Sequence, residues 1–176
     1  MRREAVERRA VEFRVAEGGA GLAVLEGTAI RYGDKSRIGP FTEEFRSGSL
    51  ALQDVIANIM HKRDRPLARQ GHGLVLTDGL NELSVRMELP DTTDGRDALA
   101  LVRSGVLQGL SVEFRAFREN WQGTHRIIEG AALVGVALVD RPAYAGATLA
   151  EGRSIDAAEW LGSLRQPGRV RKWRSL

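Results

Sequence analysis

Residues 131–139, AALVGVALV, carry no polar side chain. A strand with one wet face alternates apolar and polar residues, so a run without alternation predicts a strand buried on both faces. The run falls far short of the roughly 20 apolar residues that span a bilayer, and Pro142 terminates it. Gly135 stands in its middle. Glycine weakens a strand, and in such a place it marks either a bulge or tight bend, or the close approach of another group. One reading is that it leaves room for a side chain from the strand containing Ser111.

The rest of the chain supplies partners for such a strand. VEFRVA (11–16) alternates, and LAVLEGTAIRY (22–32) follows a glycine-rich turn, so a hairpin is expected. FTEEFRSGSL (41–50) predicts one helical turn capped by Thr42. DVIANIM (54–60) predicts a buried strand ending at His61, and KRDRPLARQGHG (62–73) a polar loop. Two strands, 74–77 and 83–89, flank an Asp78-Gly79 turn. A helix begins near Pro90, capped by Thr93 or Asp94, and ends at Gly105. A second helix is expected from about Ser154. Residues 1–10 read as a short charged helix or as disorder. The sum is about seven strands with peripheral helices, a mainly β chain built as a mostly antiparallel barrel. The organisation expected is an N-terminal arm and first strand (1–21), a barrel domain (22–150), and a C-terminal helix with a basic tail (151–176).

Leu107 to Arg115, LQGLSVEFR, predicts a strand with unlike faces. Leu110, Val112 and Phe114 point one way, and Ser111, Glu113 and Arg115 the other. A serine on such a face is ordinarily just solvated, and Glu113 could simply pair with Arg115 or Arg86. A serine hydroxyl becomes a nucleophile only when a base takes its proton, a task suited to histidine. His61, closing an apolar strand, is the candidate base. A third group usually orients the imidazole. By residue type the candidates are Glu113, Glu129, His125, Asp64 and Asp140. Glu113 alone shares the face of Ser111, roughly 6.6–6.8 Å along the backbone. Arg141 and nearby backbone N–H groups are the candidate oxyanion donors.

Composition removes several alternatives. The chain has no cysteine, which rules out disulfides, thiolate nucleophiles and Cys-based zinc sites. Its three histidines do not pair at helical metal-site spacing, so neither a metal nor a cofactor is expected. No glycine loop for phosphate follows a strand. MRREAVERRA lacks the apolar stretch of a secretory signal, and no membrane association is expected. The formal charge is only +3, and aromatic residues make up 6%. Both weigh against a specific nucleic-acid binder. The tail RQPGRVRKWRSL carries five basic residues and no acid. It suits docking on acidic protein or nucleic acid as well as it suits plain solvation.

The ordered set NIMH (58–61), RPLAR (65–69), DALALVRSGVLQGLSVEF (97–114) and LVGVALVDRPAYAGA (133–147) resembles the prohead proteases of tailed bacteriophages. These are capsid-maturation serine peptidases, distantly similar in fold to the herpesvirus assemblins. The resemblance spans roughly residues 22–150. It implies an antiparallel barrel wrapped by helices, with His61 as general base and Ser111 as nucleophile. It further implies cleavage of scaffold or capsid protein segments inside a procapsid assembled in the bacterial cytoplasm. The implied partners are the major capsid protein and a scaffold protein or domain, and assemblin-like folds suggest a homodimer.

Two positions depart from the family pattern. Glu113 stands where the family often has glycine, and Gly135 where it often has an acid. The two changes read as one: an acid lost at 135 and gained at 113 on adjoining strands, with Glu113 as third member of the site. A rival reading keeps the fold without the chemistry, as a capsid-assembly or scaffold-binding module. The presence of both His61 and Ser111 favours the peptidase.

Overall fold

The computed structural model describes residues 7–17 and 23–140. In chain order its elements are β1 (Glu7–Glu17), β2 (Ala23–Arg31), β3 (Ser36–Ile38), β4 (Phe41–Phe45), β5 (Leu50–Ile59), β6 (Lys62–Gln70), β7 (Gly73–Asp78), β8 (Glu82–Glu88), α1 (Thr93–Arg103), β9 (Gly109–Gln122) and β10 (His125–Val139). The ten strands form one sheet in the order β3-β4-β10-β5-β6-β7-β8-β2-β1-β9, and β9 pairs with β10 as well.

The expected mostly antiparallel barrel of about seven strands is corrected here to ten strands in a mixed sheet. Hairpins β1–β2, β3–β4, β5–β6, β7–β8 and β9–β10 are antiparallel, whereas β4 and β5 both run parallel to β10. Among the described residues β3 pairs only with β4 and leaves an open edge. The reason lies in β10. At fifteen residues it is long enough for β9 to run along one side while β4 and then β5 share the other. HRII and AALVGVALV, read separately, are two halves of this one strand. Its lack of alternation is what a parallel strand buried on both faces requires.

Three local expectations also change. FTEEF is β4, not a helical turn; Glu43 and Phe45 are buried while Thr42 and Glu44 are half-buried, the period of a strand. KRDRPLARQ is β6, not a loop. Pro66 pairs with Asn58 between two register shifts, and the pairing passes from Lys62 to Pro66 while β5 moves by one residue. Proline is tolerated there because the ladder is already broken. Residues 7–10 are strand, since β1 begins at Glu7.

The helix forms as its caps dictate. Thr92, one position before Thr93 and two before Asp94, the expected caps, accepts a hydrogen bond from the Gly95 N–H at 3.2 Å. Asp94 lies in the first turn and Arg103 in the last, complementing the helix dipole. Ser104 closes the helix, followed by Gly105 at φ 73°. Ala98 and Val102 are fully buried, and Arg65 on β6 hydrogen-bonds Asp94 at 2.8 Å. The helix carries the chain from β8 to β9, which enters between β1 and β10.

One core fills the inner face of the sheet, with Leu25, Val55, Ile59, Leu83, Met87, Leu110, Val112, Phe114, Val136 and Leu138 all at 2% exposure or less. Phe45 and Phe114 meet edge-on within it, their ring centroids 4.9 Å apart. Arg126 and Glu43 form a buried pair at 2.9 Å, while Glu119 also binds Arg126. Burial acts to raise the Glu119 carboxyl, but hydrogen bonds from Arg126 and Trp121 outweigh it and hold the group below its usual range. The expected C-terminal helix and basic tail lie outside the described residues.

Gly95 is the tightest point of the helix: a Cβ there would lie 1.9 Å from the Pro90 carbonyl oxygen. Gly95→Ala is expected to destabilise the fold by at least about 1–3 kcal/mol, the usual cost of overpacking. Urea unfolding followed by circular dichroism measures it.

Candidate active site

β9 alternates as its sequence predicts, with Leu110, Val112 and Phe114 in the core and Ser111 and Glu113 on the opposite face. That face is not wet. Ser111 is 2% exposed and Glu113 3%. Two polar side chains so deeply buried require partners.

His61 supplies the partner. It lies in the two-residue turn between β5 and β6, where Ile59 pairs with Lys62. Met60 and His61 have φ of 52° and 58°. Positive φ at both central residues is the signature of a type I′ hairpin turn, usually filled by Asn-Gly. Met does not take that conformation readily, so the turn is locally strained at Met60. From it, His61 Nε2 reaches 2.8 Å from Ser111 Oγ. On the other side of the ring, Glu113 Oε1 lies 3.0 Å from Nδ1. The set is a hydroxyl, an imidazole and a carboxylate in series.

The route of His61 is unusual. β10 lies between β5 and β9, so the imidazole must pass over β10 to reach both partners. The residues of β10 in register with Ser111 and Glu113 are Ala137 and Gly135. A methyl group and a hydrogen are the smallest floor a strand can offer. Gly135 does more than stay low. A Cβ built on it would lie 2.9 Å from Glu113 Oε2 and 3.1 Å from the Ile56 carbonyl oxygen. The register of β10 also shifts between Leu133 and Gly135 against both neighbours. Both readings of this glycine thus hold: it lies at an irregularity, and the Glu113 carboxylate occupies the space that its missing side chain leaves.

The other candidates for a third member lie elsewhere. His125 sits at the start of β10, with Nδ1 2.8 Å from Thr42 Oγ1 and Nε2 3.3 Å from Glu44. Glu129 pairs with Arg46 at 3.1 Å, and Asp64 and Asp140 are exposed. Arg86 is committed to Glu26 and Glu88 rather than to Glu113. Arg141, the candidate oxyanion donor, lies outside the described residues. Among the described residues no group of three or more acidic or histidine side chains is arranged to hold a metal ion, and no helix is long and apolar enough to cross a membrane. Sequence reasoning did not identify the strained turn. Its signal was the two-residue spacing between a buried strand and a following pairing partner, hidden because Met-His is not a turn pair.

Comparison with known proteins bears on what this arrangement is for. The family profile described as caudovirus prohead serine protease matches residues 6–159. The chain belongs to that family. It is therefore a serine peptidase of phage capsid maturation. Among solved structures, the bacteriophage T4 capsid assembly protease, gp21, has a similar fold, with a TM-score of 0.54 and 12% identity over 77% of this chain and 96% of that one. A search of curated proteins returns no significant match. The family match covers every element from β1 to β10 and both departures from the family pattern, Glu113 and Gly135.

Two outcomes follow from the geometry. Met60→Asn, which places a residue tolerant of positive φ at an exposed turn position, is expected to stabilise the fold by about 0.5–1 kcal/mol, read as a higher urea midpoint. Gly135→Ala is expected to destabilise it by about 1–3 kcal/mol, because the added methyl meets both the carboxylate and a backbone carbonyl. Differential scanning calorimetry distinguishes the two signs.

Proposed function

We propose that this peptidase cleaves scaffold and capsid protein segments inside the procapsid, with Ser111 as nucleophile, His61 as general base and Glu113 as the group that orients and charges the base. The observation that carries the reading is the continuous series Ser111 Oγ, His61 Nε2, His61 Nδ1, Glu113 Oε1, with contacts of 2.8 and 3.0 Å. Ser111 and Glu113 are buried and the His61 side chain is 13% exposed, and polar groups so enclosed are costly to keep without a use.

In the proposed reaction His61 takes the Ser111 proton as Oγ attacks the scissile carbonyl carbon. The tetrahedral intermediate then expels the amine, which takes that proton from the imidazolium. Water attacks the acyl-enzyme by the same route and regenerates Ser111. Glu113 remains ionised throughout. It holds the Nδ1–H tautomer, leaving Nε2 free to accept, and offsets the positive charge that develops on the ring. The partners in this reading are the major capsid protein and the scaffold protein or domain, met within the procapsid in the bacterial cytoplasm.

Co-expression with the capsid and scaffold proteins tests the reading. Wild type is expected to yield cleavage products, and Ser111→Ala and His61→Ala none. Glu113→Gln is expected to slow cleavage by about 10³–10⁴-fold, because the orienting charge is lost while the shape is kept. Unchanged products from Ser111→Ala would end the assignment.

A further inference from the structure

Asn58 is 2% exposed, and its Oδ1 has no hydrogen-bond partner. A buried amide oxygen without a donor costs free energy, and such groups are rare enough to need a reason. The neighbour of Asn58 on the same strand face, Ile56, is 39% exposed. The strand face is therefore half open, and Asn58 is covered locally.

Register locates the cover. Asn58 pairs with Ala137, and Ala137 pairs with Ser111. Laterally paired residues share a face, so Asn58, Ala137 and Ser111 form one row across β5, β10 and β9. His61 begins three residues beyond Asn58 and ends at Ser111, at the far end of that row. Its side chain spans the ground between them.

We propose that Asn58 is a positioning residue for the imidazole: its amide oxygen faces the carbon edge of the His61 ring and favours the protonated ring. The two ring nitrogens are already taken up by Ser111 and Glu113. What remains to face β5 is the C–H edge, whose hydrogens become stronger donors when the ring is charged. A carbonyl dipole there supports the imidazolium at the moment His61 holds the serine proton. An aliphatic side chain of similar size would fill the space and give no such support. This inference rests on His61 being the general base.

Other charges also bear on His61. Glu113 and Ser111 contact it from β9. Lys62, Arg63 and Asp64 open β6 and are exposed, as is Asp140 after β10. Arg8 of β1 stands in register with Glu113. β10 offers only Gly135 and Ala137 in the two rows concerned. None of these changes when Asn58 is replaced, so a shift in His61 titration reports Asn58.

The test is NMR titration of ¹⁵N-histidine-labelled full-length protein, with the His61 signals assigned by their loss in His61→Gln. Asn58→Leu is expected to lower the His61 midpoint by about half a pH unit, and Asn58→Asp to raise it. Asn58→Leu is also expected to be no less stable than wild type, because it removes an unsatisfied buried polar group. If Asn58→Asp does not fold, Asn58→Leu decides alone. An unmoved midpoint in the folded variants would overturn the proposal, as would a loss of stability in Asn58→Leu without any shift. The readout needs no turnover, so a failure of the peptidase reading remains distinguishable: it would appear as wild-type protein that cleaves nothing.

Discussion

A histidine that reaches across an intervening strand needs that strand to be nearly bare. His61 leaves the β5–β6 turn and meets Ser111 and Glu113 on β9, with β10 between. The crossing exists because β10 presents Gly135 and Ala137 in the two rows that matter. Any larger side chain would occupy the path of the imidazole or the seat of the carboxylate. The composition of the most apolar segment in the chain is thus set on one face by the core and on the other by the proposed catalytic residues.

Other features serve the same crossing. Consecutive positive φ values at Met60 and His61 turn the chain sharply at the end of β5. Strain of this kind persists only where the surroundings over-determine it, and the contacts of His61 do so. The irregular ladder after Lys62 frees β6 from strict pairing near the turn, while Arg65 ties the bulged segment to α1. β1 covers the edge of β9 from Gly109 to Phe114, the stretch with both Ser111 and Glu113. Energetically the arrangement is committed. Ser111 and Glu113 are 2% and 3% exposed, and their contacts with His61 engage polar groups that water barely reaches.

Much of this could be read from the residues. The alternation of Leu110, Val112 and Phe114 against Ser111 and Glu113 fixed the two faces of β9, and the glycine in AALVGVALV marked the gap that Glu113 fills. The strand count and direction were less legible. Turn-rich spacing reads as antiparallel hairpins, whereas the parallel pairings of β10 join segments distant in sequence and leave no local mark. β6 read as a loop because Pro66 and its charges resemble one, and only the register shifts show how a strand accommodates them. The type I′ turn was invisible because its residues are the wrong ones for their conformation. Asn-Gly is the pair such a turn ordinarily carries, whereas Met-His places the imidazole where it reaches Ser111 across β10.

Active-site labelling tests the account most directly. A fluorophosphonate reacts only with a serine whose hydroxyl has been activated, and peptide mapping by mass spectrometry locates the adduct. The account predicts a single adduct on Ser111, lost in His61→Ala and slowed in Glu113→Gln, with folded protein in each case. An adduct on another serine, or labelling of Ser111 that persists undiminished in folded His61→Ala, would contradict it.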